Sequence, residues 1–344
     1  MVGWLGGLCS LRPLTRKGRQ HQEADVTPAV RGSAGSPALR LKEDGVIQTI
    51  LVPLDGSPES EAVLPVASEV AHRTGSTLVL LTSVYQVGGW GEFQFTVDLE
   101  KEARLAQQYL DSRKVELERD GLIVEAQTVS APPAQAVIDY AVARPADLVA
   151  MSTHGRSGAT RWAFGSVADQ VLHGSHTPLL LVRSHKPAAT VPPAFRKVLV
   201  PYDGSELSEA ALPFIQEFAR AFEASIVLCH VLFPPASAYP GFEAPPATDR
   251  LWKDLEEVAR KHVGEAAEKL SSAGLSVKSV VTFGPAVDEI IGAARLENVD
   301  LIAMSTHGRS GVGRWIMGSV ADAVVRRSDL PVLMVRPQQP AMPD

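Results

Sequence analysis

Two blocks of this sequence appear twice, in the same order, and such self-similarity limits the fold before any single residue does. Residues 52–65, VPLDGSPESEAVLP, match residues 200–213, VPYDGSELSEAALP, at ten of fourteen positions. Residues 151–171 and 304–324 agree at sixteen of twenty-one and share the run MSTHGRSG. The offset is 148 residues at the first block and 153 at the second, so the second copy carries about five extra residues, in the Pro- and Ala-rich stretch from Phe233 to Thr248. Between the copies lies SHKPAATVPPAFR, where Pro187, Pro192 and Pro193 exclude regular structure and favour an extended spacer. We therefore expect two domains, 46–184 and 196–337, joined by a linker at 185–195, with a disordered tail at 1–45 and a short tail at 338–344. The first tail holds no lasting apolar period and is expected to be a mobile tail or to come from an unused upstream start codon, and to carry no chemistry.

Within each copy short apolar runs alternate with helical periods. In the first, IQTILVPLD, TLVLLTSV, IVEAQTV, DLVAMST and PLLLV read as strands, separated by helices at 60–73, 97–119, 134–142 and 166–173. The second repeats the pattern with KVLVPYD, SIVLCHVL, LSVKSVV, DLIAMST and PVLMV, and helices at 208–222, 249–270, 287–294 and 319–326. Apolar strands joined by helical crossovers require an α/β domain whose five-stranded parallel sheet is covered on both faces, and right-handed crossovers make it doubly wound.

Composition removes several functions. A net charge of -6 denies the chain the positive field of a nucleic-acid binder. No apolar run approaches the roughly 18 residues of a membrane span. The apolar start MVGWLGGLCSL precedes its basic residues, the reverse of an export signal, so a cytoplasmic location is expected. Cys9 and Cys229 stand alone, which supplies neither a redox pair nor a thiolate metal site.

Ligands of doubly wound sheets bind beyond the carboxyl ends of the strands, where the strand order reverses. Three features of each copy fall there: Asp55 or Asp203 after the first strand, the STHGRSG loop after the fourth, and Gly165-Ser166 or Gly318-Ser319 opening the last helix. Glycines allow close approach of backbone amides, and a helix start offers unpaired N–H groups to an anion. The chain contains neither GxxxxGK[ST] nor, after a strand, GxGxxG, so the pocket is neither a P-loop nor a dinucleotide fold.

Both halves resemble the universal stress protein family, and the whole chain is similar to its tandem members. The ATP-binding branch carries Gly-x2-Gly-x9-Gly-Ser/Thr, which aligns here as Ser152, Gly155, Gly165, Ser166 and again as Ser305, Gly308, Gly318, Ser319; serine replaces the first glycine in both copies. The resemblance implies two Rossmann-like domains of the adenine nucleotide α-hydrolase type and one ATP, with or without Mg²⁺, in each. It places adenosine against Pro53, Asp55 and Val84, and against Pro201, Asp203 and Val231. It places ribose and phosphates against Met151, Ser152, Gly155, Gly158, Gly165, Ser166 and Val167, and against Met304, Ser305, Gly308, Gly311, Gly318, Ser319 and Val320. In the family such final strands meet across a two-fold interface, which implies a pseudo-dimer of the two halves and allows a homodimer besides; the regulatory partner stays unnamed.

Each feature also has a structural reading. Ser166-Val-Ala-Asp169 and Ser319-Val-Ala-Asp322 match the capping box, so both serines are candidate helix caps, and Asp-Gly-Ser is good turn chemistry. His154 and His307 each lack a neighbouring ligand set, so no metal site is assigned. Arg156, Arg161, Arg309 and Arg314 are either phosphate screens or solvated, and Trp162 and Trp315 read as loop anchors. The leading expectation is a non-catalytic ATP-binding protein that acts through a nucleotide-dependent partner. The alternatives are a slow hydrolase or nucleotidyl enzyme of the same superfamily, disfavoured by the lack of placed carboxylates and base, and a nucleotide-free chaperone-like protein.

Overall fold

The computed structural model describes residues 47–85, 98–153, 164–184, 195–233, 247–306 and 317–336. The expected tails, nearly all of the linker and most of the second-copy insert lie outside these residues. The first half runs β1 (Thr49–Pro53), α1 (Pro58–Glu61), α2 (Leu64–Thr74), β2 (Thr77–Ser83), α3 (Leu99–Arg119), β3 (Ile123–Val129), α4 (Pro133–Ala143), β4 (Leu148–Ser152), α5 (Ser166–Gly174) and β5 (Leu179–Val182). The second half repeats it with β6 (Lys197–Pro201), α6 (Glu206–Ala221), β7 (Ser225–Leu232), α7 (Ala247–Ser272), β8 (Val277–Phe283), α8 (Ala286–Leu296), β9 (Leu301–Ser305), α9 (Ser319–Arg327) and β10 (Val332–Val335).

The single helix expected at 60–73 is two helices. Pro65 lacks the N–H that an unbroken ladder would use and its ring crowds the preceding turn, so the chain breaks at Ala62–Val63 and restarts with Pro65 in the first turn of α2. Pro213, its counterpart, sits inside α6 without ending it.

Each half orders its parallel strands 3-2-1-4-5, and the halves join into one ten-stranded sheet, β3-β2-β1-β4-β5-β10-β9-β6-β7-β8. The seam is antiparallel: Leu180 of β5 faces Leu333 of β10, with Leu181 against Val332 and Leu179 against Met334. Pairing these two strands removes the exposed apolar edge that either half alone would present. The side chains of both strands alternate between two cores, each running unbroken across the seam. Leu180 and Leu333 join Ile50, Leu78, Phe218 and Val263 on one face, and Leu181 and Met334 join Leu51, Val149, Val171 and Ile302 on the other.

Mirrored polar contacts fix the register within each half. The Asp147 carboxylate accepts from the amides of Gln48 (2.9 Å) and Thr49 (3.1 Å), and the Asp300 carboxylate accepts from those of Arg196 (2.9 Å) and Lys197 (3.0 Å). Two arginines just beyond the last strands cross the seam reciprocally. Arg336 donates to the Leu172 and His173 carbonyls at the end of α5, and Arg183 donates to the Arg326 carbonyl near the end of α9 and to the Asp329 carboxylate. Cations there satisfy orphan carbonyls and oppose the negative end of the helix dipole. Phe195, at the end of the expected linker, is fully buried with its ring 5.8 Å from Phe218 and 5.1 Å from Phe222, and so belongs to the same core as Leu180 and Leu333.

Candidate functional site

Each half holds one cavity at the carboxyl ends of its strands, where the order reverses between β1 and β4 or between β6 and β9. The first, about 210 Å³, is lined by Pro53, Leu54 and Asp55 at and just after the end of β1, Leu81 and Ser83 at the end of β2, Met151 to Thr153 at the end of β4, the start of α4, and Gly165 to Ala168 opening α5. The second, about 260 Å³, takes the matching residues: Pro201 to Asp203, Cys229, Val231, Met304 to Thr306, Ala286, Ile290 and Gly318 to Ala321.

Backbone bonds bring the far-apart segments together. The Thr153 amide donates to Val182 (2.9 Å) and the Gly165 amide to the Thr153 carbonyl (2.7 Å), so the loop leaves and re-enters at one corner of the cavity. Thr306 to Val335 (3.1 Å) and Gly318 to Thr306 (2.9 Å) repeat this. Gly155, Gly158, Gly308 and Gly311, with His154, His307 and the loop arginines and tryptophans, lie outside the described residues.

The capping-box reading is not what the structure shows. The N-caps are Gly165 and Gly318, in extended conformation at φ -64, ψ 140 and φ -65, ψ 139, and neither helix has a side-chain cap bond. Ser166 and Ser319 are therefore the first helical residues. The first ladder bond runs from the Asp169 amide to the Gly165 carbonyl (2.9 Å), which leaves the amides of Ser166, Val167 and Ala168 without a helix acceptor beside the cavity they line. Because any residue adopts φ near -64, the backbone angle at 165 does not by itself require glycine. Asp169 does not reach back to cap; its carboxylate takes a bond from Arg326 of the other half at 2.5 Å.

Asp55 and Asp203 do double duty. Asp55 Oδ1 accepts from the Ser57 amide (3.0 Å) and hydroxyl (2.5 Å), and Asp203 Oδ1 accepts from the Ser205 amide (3.0 Å). These turns, with Gly56 at φ 79 and Gly204 at φ 75, aim both carboxyl-bearing residues at the cavity mouth. Ser57 and Ser205 then cap the following helices through the Ser60 and Ser208 amides.

Of the sequence-assigned residues, Val84 is the one described residue away from its cavity: its amide donates to the Val129 carbonyl at 2.8 Å. Strand register explains this, since Pro53 pairs with Leu81 as Pro201 pairs with Cys229, which makes Ser83, not Val84, the counterpart of Val231. Counting both copies from the same strand residue would have found it. The starts of α4 and α8, with Pro133, Val137, Ala286 and Ile290, carry no motif, and their place in the wall was not legible.

The cavities are alike in backbone and unlike in wall. Leu54, Leu81 and Ser83 in the first stand where Tyr202, Cys229 and Val231 do in the second. Burial pushes the Cys229 thiol up to about 11, so it stays protonated at neutral pH and acts as a small apolar group. Burial and a bond to Glu209 at 3.0 Å push the Tyr202 hydroxyl up to about 12. Among the described residues no cluster of three His, Cys, Asp or Glu is arranged for a metal ion, and no helix is long and apolar enough to cross a membrane.

The universal stress protein family model matches residues 47–183 and again 194–336, one match for each half of the sheet. The chain belongs to the universal stress protein family. Its two-domain relatives match nearly throughout: a universal stress protein of Mycobacterium tuberculosis is 24% identical over 86% of this chain and 98% of its own. A universal stress protein of Methanocaldococcus jannaschii is 28% identical over 41% of this chain and 95% of its own, the span of a single domain. The crystal structure of a universal stress protein from Archaeoglobus fulgidus superposes with a TM-score of 0.63 at 21% identity, covering 84% of this chain and 98% of that one, a likeness of fold. A universal stress protein solved in complex with cAMP matches 40% of this chain and 98% of its own at 22% identity, with a TM-score of 0.32.

Proposed function

We propose that this tandem universal stress protein binds one ATP in each half and transmits occupancy to a protein partner rather than turning the nucleotide over. The observation that carries the reading is the convergence, twice, of an aspartate, the end of the fourth strand and an uncapped helix start on one cavity. A helix start with open amides suits phosphate oxygens, and an aspartate lining the same cavity suits hydroxyl or amino donors of a nucleoside. The apolar floor of Leu54, Leu81, Met151 and Val137 suits a purine face. Gly165, Ser166, Val167, Gly318, Ser319 and Val320, with Met151, Ser152, Met304 and Ser305, would hold phosphates and ribose. The residues carried over from the family at 155, 158, 308 and 311 complete the proposed loops.

Holding a nucleotide does not lower a reaction barrier unless the transition state is held more tightly. The described walls offer amides and hydroxyls but no histidine or lysine poised as a base, which favours a sensor over a hydrolase. A single-turnover assay with Mg²⁺ and the full chain tests this. Bound ATP should outlast by orders of magnitude the roughly 0.1 s of a typical enzymatic turnover. Rapid multiple turnover abolished by Asp55→Ala would replace the sensor with an enzyme.

A further inference from the structure

Arg326 stands in the last turn of α9, yet its side chain serves the other half of the chain as well as its own. Its Nε donates to both oxygens of Asp322, at 3.0 and 2.9 Å, and its Nη2 donates to Asp169 at 2.5 Å. The guanidinium carbon also lies 4.9 Å from the centroid of the Phe164 ring. Asp169 is in the first turn of α5, and Phe164 immediately precedes the N-cap Gly165. One planar cation thus holds a carboxylate and a ring on either side of the corner where the first cavity meets its helix start. A lysine could not span these three partners, because its charge is a point on a flexible stem.

A carboxylate in the first turn of a helix is favourable to the dipole but competes with any anion at the same end. Arg326 removes that competition in the first half. The arrangement is not reciprocated among the described residues. Arg326 corresponds to His173, whose Nδ1 lies 2.7 Å from the Asp169 carbonyl of its own helix, and Phe164 corresponds to Met317. Among the described residues, the side chain that holds Asp322 is Arg326 of its own half.

We propose that Arg326 is a positioning residue of the first cavity, supplied by the second domain: it neutralises Asp169 and braces Phe164, so that anion binding in the first cavity depends on the seam, whereas Asp322 beside the second cavity is neutralised by the same arginine from within its own half. The inference rests on the nucleotide-binding reading above and adds an inequality between two sites that the repeated motif alone would make equal.

The test is calorimetric titration of ATP, and separately of adenosine, into the full chain carrying Gly318→Asp, so that only the first cavity reports. Adding Arg326→Met should weaken ATP roughly tenfold, the upper range for a charge at a helix end, and leave adenosine unchanged. Adding Asp169→Asn to that chain should restore most of the ATP affinity, which a merely structural loss would not allow. Unchanged ATP affinity, equal loss of adenosine, or failure of Asp169→Asn to rescue each overturns the proposal while the nucleotide-binding reading survives. Absence of ATP binding by the unmodified chain overturns both.

Discussion

The Gly165 amide donates to the Thr153 carbonyl at 2.7 Å, and the Gly318 amide to that of Thr306 at 2.9 Å. This one contact ties a glycine-bearing loop to the end of the fourth strand and starts the last helix at the cavity wall. It is the reason a motif spread over fifteen residues of sequence can act at one place.

The N-cap position of Gly165 makes Gly165→Asp an informative change. Its extended backbone accepts any residue, and aspartate caps helices better than glycine, so α5 should persist with the melting temperature equal or slightly raised. The new carboxylate should occupy the amides that would face phosphate. ATP stoichiometry should drop by one site per chain while the other half still binds, as measured by calorimetry beside thermal melting. A chain that unfolds would assign the glycine to structure alone.

Asp55 has a turn role and a proposed ligand role, and two substitutions separate them. Asp55→Asn keeps an oxygen for the Ser57 amide and hydroxyl and should change stability by less than about 0.5 kcal/mol, whereas Asp55→Ala loses both bonds and should cost about 1–3 kcal/mol. Both should weaken ATP in the first half. If Asp55→Asn binds ATP as the parent does, the carboxylate charge has no part in the site. Denaturant melts and titration of the same samples give both readings.

The repeat, the ten strands and the corner at Gly165 were legible because each rests on local pattern: apolar alternation, offset and turn chemistry. What was lost depends on three-dimensional register. The helix begins one residue earlier than the capping box implies, since the N-cap is Gly165 and only its dihedrals show this. Val84 lies one residue past Ser83, the counterpart of Val231, and strand register rather than residue type separates the two. The walls from α4 and α8, and Arg326 reaching Asp169 across 157 positions, leave no periodic trace in the sequence.

The seam should hold the halves together without the linker. Leu180 and Leu333 are fully buried and in register, so Leu180→Ala should cost about 2–5 kcal/mol. Cleavage at Thr190 should leave both halves co-eluting in size exclusion, and Leu333→Asp should separate them by burying a charge. Separation of the unmodified halves after cleavage would show that the sheet is not continuous in solution.

Alkaline stability should follow Tyr202 and Cys229. Both groups are neutral when protonated and titrate higher in the folded chain, at about 12 against 10.0 and about 11 against 9.0. Their contribution is complete below the lower value of each pair and is lost as pH rises through the higher one. Stability should therefore fall from about pH 9 upward, and Tyr202→Phe should flatten the part of the decline between pH 10 and 12. Denaturant midpoints measured across that range check the slope; an identical slope in Tyr202→Phe would remove Tyr202 from the account.

Native mass spectrometry of the full chain titrated with ATP decides whether each half holds a nucleotide, because it counts ligands on each molecule. At saturation each chain should carry two ATP, reduced to one by either Gly165→Asp or Gly318→Asp and to none by both. A chain that stays bare at saturating ATP would contradict it.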